Sequence, residues 1–249
     1  MHECTIELAG VPVLIRCCFK ENVDFFYDYL SEKQACFTIQ PTKTDLMYIQ
    51  SEFERADEEE GIQPYRRADW YLENNAIHSL LAEKLAAYHV LLMHGSAICM
   101  DGQAYIFTAS SGTGKSTHTR LWREVFGEHA WMINDDKPLI RIEAGCAMAY
   151  GSPWDGKHHL SSNASAPLKA VVWLNRDTKN HIIPMPTADA FSVVMKQVFS
   201  PRDKGMLVQV LELEKQLLQT VGFYKLFCNM EQDAARIAWE GISSHIAKE

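Results

Sequence analysis

A glycine-rich turn between an apolar run and a helix-compatible segment is the feature that most constrains this chain. The turn has the sequence ASSGTGKST over residues 109–117, and the apolar run YIF precedes it at residues 105–107. A strand, a loop and a helix in this order form the context that a phosphate-binding loop requires. Glycines let backbone N–H groups surround phosphate oxygens, and the helix N-terminus adds further N–H groups and a favourable dipole. The sequence therefore predicts a nucleotide site.

Each residue of this loop has an expected role. Lys115 provides a mobile cation for the β- and γ-phosphates, and the Ser116 hydroxyl is placed to ligate Mg²⁺. The predicted nucleotide-binding residues are Ser111, Gly112, Thr113, Gly114, Lys115, Ser116 and Thr117. The full pattern G-x-x-x-x-G-K-[ST] has Ala109 in place of its first glycine, so only the shorter core G-x-G-K-S is met. The alternative is a surface Gly-Ser turn ahead of an ordinary helix.

Two adjacent carboxylates form the second anchor of the predicted site. Asp135 and Asp136 follow the apolar run AWMI, where the carboxylate partner of a phosphate loop holds Mg²⁺ directly or through water. Adjacent residues on an extended segment point in opposite directions, so one acid can serve the metal while the other accepts a hydroxyl proton. Both are catalytic candidates, and Asp136 is predicted to join Ser116 at the metal, although the division of roles stays open. The alternative is a solvated turn before Pro138.

His94 and Lys157 are catalytic candidates on weaker grounds. His94 lies one strand before the loop, either beside the site or at the opposite end of that hairpin. Lys157 ends the turn-rich segment GSPWDGK, residues 151–157, where it could neutralise charge on a transferred phosphoryl group. For each, a structural or solvated side chain is the competing interpretation. Trp154 in the same segment either stacks on a purine or anchors the loop.

The composition limits the classes of partner. The chain has 249 residues and a net charge of −8 without an extended Lys/Arg block, which argues against nucleic acid and an anionic membrane surface. The positive potential that phosphate needs must therefore be built locally. The seven cysteines are odd in number and lack C-x-x-C spacing, so they are expected to be reduced, mostly core residues. With no signal-like run and no apolar stretch long enough to span a bilayer, a cytoplasmic location is expected.

Alternating strand and helix patterns beyond the loop predict an α/β fold. Strands are expected at residues 5–8, 11–16, 36–40, 46–49, 94–100, 103–108, 130–133, 139–143, 146–150, 168–174, 181–183 and 223–228. Helices are expected at residues 24–30, 75–93, 115–125, 188–199, 206–218 and 233–246, and the acidic segment 52–60 is expected to be a solvated loop. The expected organisation is a small N-terminal α/β extension over residues 1–75 and a catalytic domain over residues 76–249.

Several of these motifs, in their order and spacing, resemble the catalytic domain of HPr kinase/phosphorylase: HGSA at 94–97, the following hairpin, the loop at 109–117 and NDD at 134–136. The loop also looks like that of ATP-dependent phosphoenolpyruvate carboxykinase, whose nucleotide core belongs to the same fold group. The resemblance implies a P-loop core of mixed sheet with flanking helices. It further implies a kinase that uses ATP and Mg²⁺ to phosphorylate a serine hydroxyl, with an aspartate as base and His94 near the phosphates. Related kinases assemble into rings, so a homo-oligomer is a further expectation.

The chain departs from that family in two ways. The Arg-Gly signature that HPr kinases carry after the carboxylates is missing, and the segment 151–157 stands in its place. The regulatory N-terminal domain of that family is not recognisable either. The expected acceptor is therefore a serine-bearing small molecule, peptide or protein other than HPr. Two alternatives stay open: a catalytically inactive nucleotide-binding regulatory protein of the same fold, and a carboxykinase acting on oxaloacetate, for whose substrate domain 249 residues leave too little room.

Overall fold

The computed structural model describes residues 1–246 and has an α/β architecture, with a mixed sheet and flanking helices as the sequence predicted. The strands are β1 (His2–Leu8), β2 (Val11–Cys17), β3 (Phe37–Ile39), β4 (Val90–Leu92), β5 (Ser96–Met100), β6 (Gln103–Thr108), β7 (Ala130–Asn134), β8 (Leu139–Glu143), β9 (Cys146–Tyr150), β10 (Ser165–Arg176), β11 (His181–Pro184) and β12 (Gly222–Cys228). The helices are α1 (Lys20–Phe25), α2 (Lys43–Glu59), α3 (Asp69–Leu85), α4 (Lys115–Phe126), α5 (Thr187–Gln197), α6 (Lys204–Thr220) and α7 (Asp233–Ile246).

A small N-terminal sheet begins with a tight hairpin. Ala9 and Gly10 have left-handed backbones, with φ of 50° and 77°. Two central residues with positive φ are what a two-residue type I′ hairpin turn requires, and this turn brings Leu8 opposite Val11. β3 then pairs in parallel with β2. The apolar face of this sheet packs on α3 through a core that includes Ile77.

The larger sheet determines where the site lies. Its path among the described residues is β4-β8-β9-β10-β6-β5-β7, with β12 paired to β10 and β11 paired to β12. The first residues of β10 pair antiparallel with β9, and the rest of the strand runs parallel with β6 and β12. Since β5 is antiparallel to both β6 and β7, strands β6, β7, β10 and β12 point the same way. Their C-terminal ends therefore meet at one edge.

Helices cover both faces of this sheet. Successive residues of β6 show the two layers, because side chains of a strand alternate between its faces. Phe107 belongs to a core with α4 and α7 that includes Trp122 and Ala238. Ile106 belongs to the opposite core, with α5 and α6, that includes Leu217. The helix that follows the glycine-rich loop is therefore held against the sheet by a buried apolar core.

Two predictions for residues 46–60 are wrong. Residues 46–49, expected as a strand, and 52–59 of the acidic segment, expected as a loop, lie in α2. The helix begins at a capping box, in which Thr42 Oγ1 accepts the Asp45 N–H and the Asp45 carboxylate accepts the Thr42 N–H. Asp57 is buried and pairs with Arg67, so one face of this acidic helix is packed against the protein. The capping box at Thr42 and Asp45 therefore indicates the helix correctly, whereas the run of acidic residues does not indicate a loop.

The predicted helix over residues 75–93 is wrong at both ends. α3 begins at Asp69 and ends at Leu85, and a 3-10 turn follows it. His89 then has a left-handed backbone with φ of 62°, after which β4 pairs with β8. A short apolar run such as residues 90–92 fits a helical period and a buried strand equally well, and here the strand pairing wins. The boundary predicted at residue 75 falls inside α3.

Two smaller expectations also need correction. The helix predicted at residues 24–30 is wrong in its bounds: α1 covers Lys20–Phe25, and only a 3-10 turn, Tyr27–Tyr29, follows it. All seven cysteines are free, but the prediction that most lie in the core is wrong in part, since three are exposed: Cys18, Cys36 and Cys146. Within the described part of the chain, no helix has the length and apolar character needed to cross a membrane.

Candidate active site

The C-terminal edge of the parallel strands brings the predicted site residues together. The glycine-rich loop leaves β6 and the two aspartates leave β7 at this edge. β5 runs in the opposite direction, so His94 and Gly95, which precede it, reach the same edge, and the Gly95 N–H donates to the Asp136 carbonyl oxygen at 3.0 Å. His94 therefore lies beside the aspartates and not at the far end of the hairpin. Ligands of open α/β sheets bind beyond the carboxyl ends of the strands.

Two glycines set the backbone of the loop. Gly112 has φ of 72° and Gly114 has φ of 124°, conformations that residues with side chains rarely adopt. Gly114 is the N-cap of α4, and no side chain caps this helix, so N–H groups of its first turn are available to an anion. Ala109, the departure from the full motif, is buried with a negative φ. Its backbone therefore does not require glycine.

Lys115 is partly buried at the start of α4, among the charged groups of the site. Burial lowers its pKa, the carboxylates of Asp136 and Asp135 act in the opposite direction, and the charge of Lys137 lowers it further; the net pKa is below the ordinary value. Its Nζ donates to the Ala109 carbonyl oxygen at 3.5 Å. A hydrogen bond this long is weak, so the ammonium keeps donor capacity for a phosphate oxygen.

Asn134 fixes the turn that carries the two aspartates. Its Oδ1 accepts the N–H groups of Asp136 and Lys137, at 2.9 and 2.6 Å. Its Nδ2 donates to the carbonyl oxygen and to Oγ of Ser152, at 2.9 and 3.2 Å. Ser152 Oγ in turn donates to the Lys137 carbonyl oxygen at 2.6 Å. Since Asn134 and Ser152 are fully buried, this polar network holds the turn in one orientation.

Asp135 faces the interior and is tied to α4. Its Oδ1 accepts a hydrogen bond from the buried Ser96 Oγ at 2.6 Å. Ser96 Oγ also lies 3.0 Å from Thr119 Oγ1, which itself lies 3.3 Å from the Ser116 carbonyl oxygen. Ser116 and Thr119 are three residues apart and so lie on one face of α4. The first aspartate is therefore linked to the side of the helix that carries Ser116.

Asp136 faces the open side of the site, with 32% of its side chain exposed. Its Oδ1 lies 3.3 Å from His94 Nε2 and 3.5 Å from Lys137 Nζ. Burial raises the pKa of Asp136, but the hydrogen bond from His94 and the charge of Lys137 outweigh it, so the net pKa is lowered. The second aspartate is therefore an ionised carboxylate at neutral pH. The two adjacent acids have different surroundings and are suited to different roles.

A pocket of about 440 Å³ opens beside the loop, between α4 and the ends of β10 and β12. Apolar side chains such as Leu121 and Leu174 contribute to its lining. Two of its lining residues also carry buried polar atoms without a hydrogen-bond partner, His118 Nδ1 and Asn175 Nδ2. Burial lowers the pKa of His118 to about 3, so its ring is neutral. Its Nε2 accepts the Trp122 indole N–H at 3.1 Å, so Nδ1 carries the proton and is an unpaired donor.

Two cations of the site, Lys137 and Arg176, were missed by reasoning from the sequence. Arg176 Nε donates to the Thr113 carbonyl oxygen at 3.2 Å, and its Nη2 donates to the Gly112 carbonyl oxygen. Arg176 reaches the loop because β10 pairs in parallel with β6, a pairing that no local motif signals. Lys137 had a visible signal, since it directly follows the two aspartates.

Lys157 follows a residue that lies beside Asp136, but its own side chain is exposed. The preceding Gly156 is so close to Asp136 that a Cβ added there would lie 3.2 Å from the Asp136 Cβ. Lys157 follows on a 3-10 turn and is exposed. Its part in charge neutralisation stays a prediction. Arg120, one turn after the loop, instead pairs with Glu124 on the exposed face of α4 at 2.8 Å.

Trp154 anchors the segment 151–157 to the N-terminal part of the chain. Its Nε1 donates to Asn74 Oδ1 at 2.8 Å. Its ring lies 5.7 Å from the Phe26 ring and 4.8 Å from the His78 ring, between centroids. Of the two interpretations of Trp154 that the sequence left open, these contacts favour the loop anchor.

The fold and the site define an α/β protein with a glycine-rich loop and paired carboxylates at the carboxyl edge of its sheet. A family model described as SynChlorMet cassette protein ScmC matches residues 67–237, and the chain therefore belongs to this family. Among solved structures, the Hpr(Ser) kinase/phosphatase from Coxiella burnetii matches at 8% identity and a TM-score of 0.37, covering 63% of this chain and 97% of that chain. A likeness this distant assigns no activity. No curated protein matches the chain.

Proposed function

We infer that the protein is a Mg²⁺- and ATP-dependent kinase that transfers the γ-phosphoryl group to a serine-type hydroxyl of a small molecule, peptide or protein. The observation that carries this inference is that the glycine-rich loop with Lys115, which follows β6, and the ionised Asp136, which follows β7, lie at the same edge of the sheet. Phosphoryl transfer needs a cation on the phosphates and a carboxylate directed at the acceptor within one small volume. The motif resemblance to HPr kinase/phosphorylase supports the same reaction class.

The residues present fit a nucleotide. Its phosphates would lie on the backbone of residues 111–117, and its nucleoside would enter the pocket of about 440 Å³, whose lining includes Gly112 and Gly114 of the same loop. A pocket that combines apolar walls with a few polar groups is typical of small-molecule sites.

The donor set also fits Mg²⁺. Among residues 1–246, no group of three or more His, Cys, Asp or Glu side chains could hold a metal ion alone. Mg²⁺ at nucleotide sites takes only one or two protein oxygens beside phosphate and water, so such a group is not needed. Ser116 would hold the ion together with one of the two aspartates. The link of Asp135 to the Ser116 side of α4 favours Asp135 for this position. When bound, Mg²⁺ neutralises phosphate charge.

Asp136 then serves the acceptor as general base. It is ionised, and its exposure leaves room for a hydroxyl to approach. The acceptor oxygen forms a bond to the γ-phosphorus, the bond from that phosphorus to the β–γ bridging oxygen breaks, and the hydroxyl proton passes to Asp136. Lys115 and the loop N–H groups neutralise the phosphates, and Lys157 is proposed to add charge from the outside.

The test separates binding from transfer. Mg·ATP is titrated calorimetrically into the wild type, Lys115→Met and Asp136→Asn, and γ-labelled ATP is then incubated with free serine, serine peptides and a cell extract. We expect Lys115→Met to weaken binding at least about tenfold. We expect Asp136→Asn to bind normally and to lose transfer by about 10²–10⁴-fold. Lys204→Met, at an exposed position of α6, controls for the change in net charge. A wild type that binds no ATP would refute a nucleotide function.

The second candidate is a catalytically inactive nucleotide-binding regulatory protein. The missing Arg-Gly segment is the observation that favours it. This candidate predicts that the wild type and Asp136→Asn bind Mg·ATP equally and that neither labels any acceptor. Label on serine, on a peptide or on an extract protein would exclude it and would also identify the class of acceptor.

A further inference from the structure

We propose that Lys137 is a second catalytic cation, which binds the phosphoryl group while it is transferred. The proposal rests on the kinase function above and adds a residue to its machinery. Lys137 directly follows the base, its Nζ lies 3.5 Å from Asp136 Oδ1, and only 26% of its side chain is exposed. A solvated surface lysine would extend into water, whereas this one is directed into the site.

The backbone of Lys137 is anchored on both sides of its Cα. Its N–H donates to Asn134 Oδ1 at 2.6 Å, and its carbonyl oxygen accepts from Ser152 Oγ at 2.6 Å. Because both partners are fully buried, the backbone of Lys137 is held in place, and its side chain starts from a fixed position beside Asp136. Preorganisation of this kind is what a catalytic cation needs and what a surface lysine lacks.

The position of Asp136 determines what Lys137 can reach. An acceptor hydroxyl that gives its proton to Asp136 must lie within about 3 Å of the carboxylate. Its oxygen must in turn approach the reacting phosphorus to about 3–3.5 Å. These steps place the non-bridging oxygens of that phosphoryl group at most about 10 Å from Lys137 Nζ, and the long, flexible lysine side chain is proposed to close the remaining gap. Lys115 approaches the same group from the loop, at the start of α4.

The transfer step itself makes the charge of Lys137 available. Before transfer, the Lys137 ammonium is partly neutralised by the Asp136 carboxylate. As the acceptor oxygen bonds to the γ-phosphorus and the bridging oxygen leaves with the electron pair on ADP, the acceptor proton moves to Asp136. The carboxylate thereby loses its charge, and the ammonium can interact fully with the phosphoryl oxygens. An interaction that strengthens only in the transition state raises the rate without tightening ground-state binding.

The test uses an analogue of the transferring group, so it needs no acceptor. Mg·ADP is titrated with and without aluminium fluoride, which occupies the position of the transferring phosphoryl group, into the wild type, Lys137→Met, Lys137→Arg and the control Lys204→Met. We expect Lys137→Met to keep its affinity for Mg·ADP within about threefold. We expect the additional affinity conferred by aluminium fluoride to fall on the order of 10²-fold, with partial recovery in Lys137→Arg. Circular dichroism melting checks that each variant folds, and Lys137→Gln replaces Lys137→Met if that variant does not.

The outcomes distinguish this proposal from the kinase proposal. If Lys137→Met gains as much affinity from aluminium fluoride as the wild type and Lys204→Met, Lys137 does not bind the transferring group. If it instead loses affinity for Mg·ADP itself, Lys137 acts on the loop or on the ground state, and the proposal is overturned as well. If the wild type binds Mg·ADP but gains nothing from aluminium fluoride, the site for the transferring group is missing. That last outcome would remove the kinase proposal together with this one, as would a wild type that binds no Mg·ADP, whereas the first two outcomes overturn the role of Lys137 alone.

Discussion

Glu214 on α6 is a buried acid without a hydrogen-bond partner. Its replacement by glutamine tests whether ionisation of this carboxyl destabilises the core between the sheet and α6. The residue is 3% exposed, and its Oε2 is buried without a hydrogen bond. Its helix neighbours Val210, Leu213 and Leu217 belong to the core between the sheet and α6. Burial raises the pKa of Glu214 from the ordinary 4.5 to about 7. We expect Glu214→Gln to stabilise the protein at high pH and much less at low pH.

The magnitude follows from the raised pKa. Well below pH 4.5 the carboxyl group is protonated in both states and costs nothing. Between pH 4.5 and about 7 the unfolded chain ionises while the folded protein does not, so stability is lost as the pH rises, and the loss levels off above pH 7. A rise of this size corresponds to at most about 3 kcal/mol at 1.36 kcal/mol for each pKa unit. Part of this loss has already occurred at pH 5, where the unfolded chain is largely ionised, so about 2 kcal/mol is expected between pH 5 and pH 8.5.

The assay is urea unfolding of the wild type and Glu214→Gln at about pH 5 and about pH 8.5. We expect the variant to gain about 2 kcal/mol relative to the wild type between the two conditions. The glutamine amide introduces its own packing cost, but this cost is the same at both pH values and cancels. Glu212→Gln on the same helix, exposed and 3.5 Å from Lys215, is the matched control and should change by less than about 0.5 kcal/mol. An equal difference at both pH values would show that Glu214 is solvated or paired and would refute the reasoning.

Two further changes test how the site is supported. Ser96→Ala removes the hydrogen bond to the buried Asp135 and should cost about 1–3 kcal/mol of stability, measured by thermal unfolding. The Ser96→Ala variant should also need a higher Mg²⁺ concentration for half-maximal transfer, because Asp135 loses its orientation. An unchanged Mg²⁺ dependence would show that Asp135 does not bind the metal. Trp154→Ala should cost about 3–5 kcal/mol by removing a large packed side chain. In conditions where this variant is folded, transfer should fall more than affinity for Mg·ADP, since the segment against Asp136 loses its anchor; equal losses of both would contradict this.

The central part of the candidate site could be predicted because its determinants are local in sequence. The backbone of the loop depends on Gly112 and Gly114, whose positive φ values residues with side chains rarely adopt. The apolar runs before the loop and before Asp135 form the strands β6 and β7. Ala109, which replaces the first glycine of the full motif, is also compatible with the loop, since a residue with negative φ does not need to be glycine. What these residues bind stays a prediction.

The parts that could not be predicted depend on which strands are neighbours. Arg176 reaches the loop only because β10 lies beside β6, although 63 residues separate it from Thr113. His94 reaches Asp136 only because β5 lies between β6 and β7 and runs against both. Hydrophobic periodicity identifies a strand but gives no partner for it. The same limit explains β4, whose apolar run fitted a helix until its pairing with β8 was known.

The N-terminal residues, which the sequence predicted as a small α/β extension, contribute to the architecture of the site. Glu73 accepts the Cys18 N–H at 2.7 Å and the Asn22 side-chain amide at 2.8 Å, and Asn22 Oδ1 accepts from Asn74 at 3.0 Å. Asn74 Oδ1 then accepts the indole N–H of Trp154, two residues before the glycine that contacts Asp136. A buried chain of hydrogen bonds therefore leads from the start of α1 to the segment beside the proposed base. Cutting the chain at residue 75 would remove Glu73, Asn22 and Asn74 together, so residues 76–249 alone are not expected to hold the segment beside Asp136 in its present position.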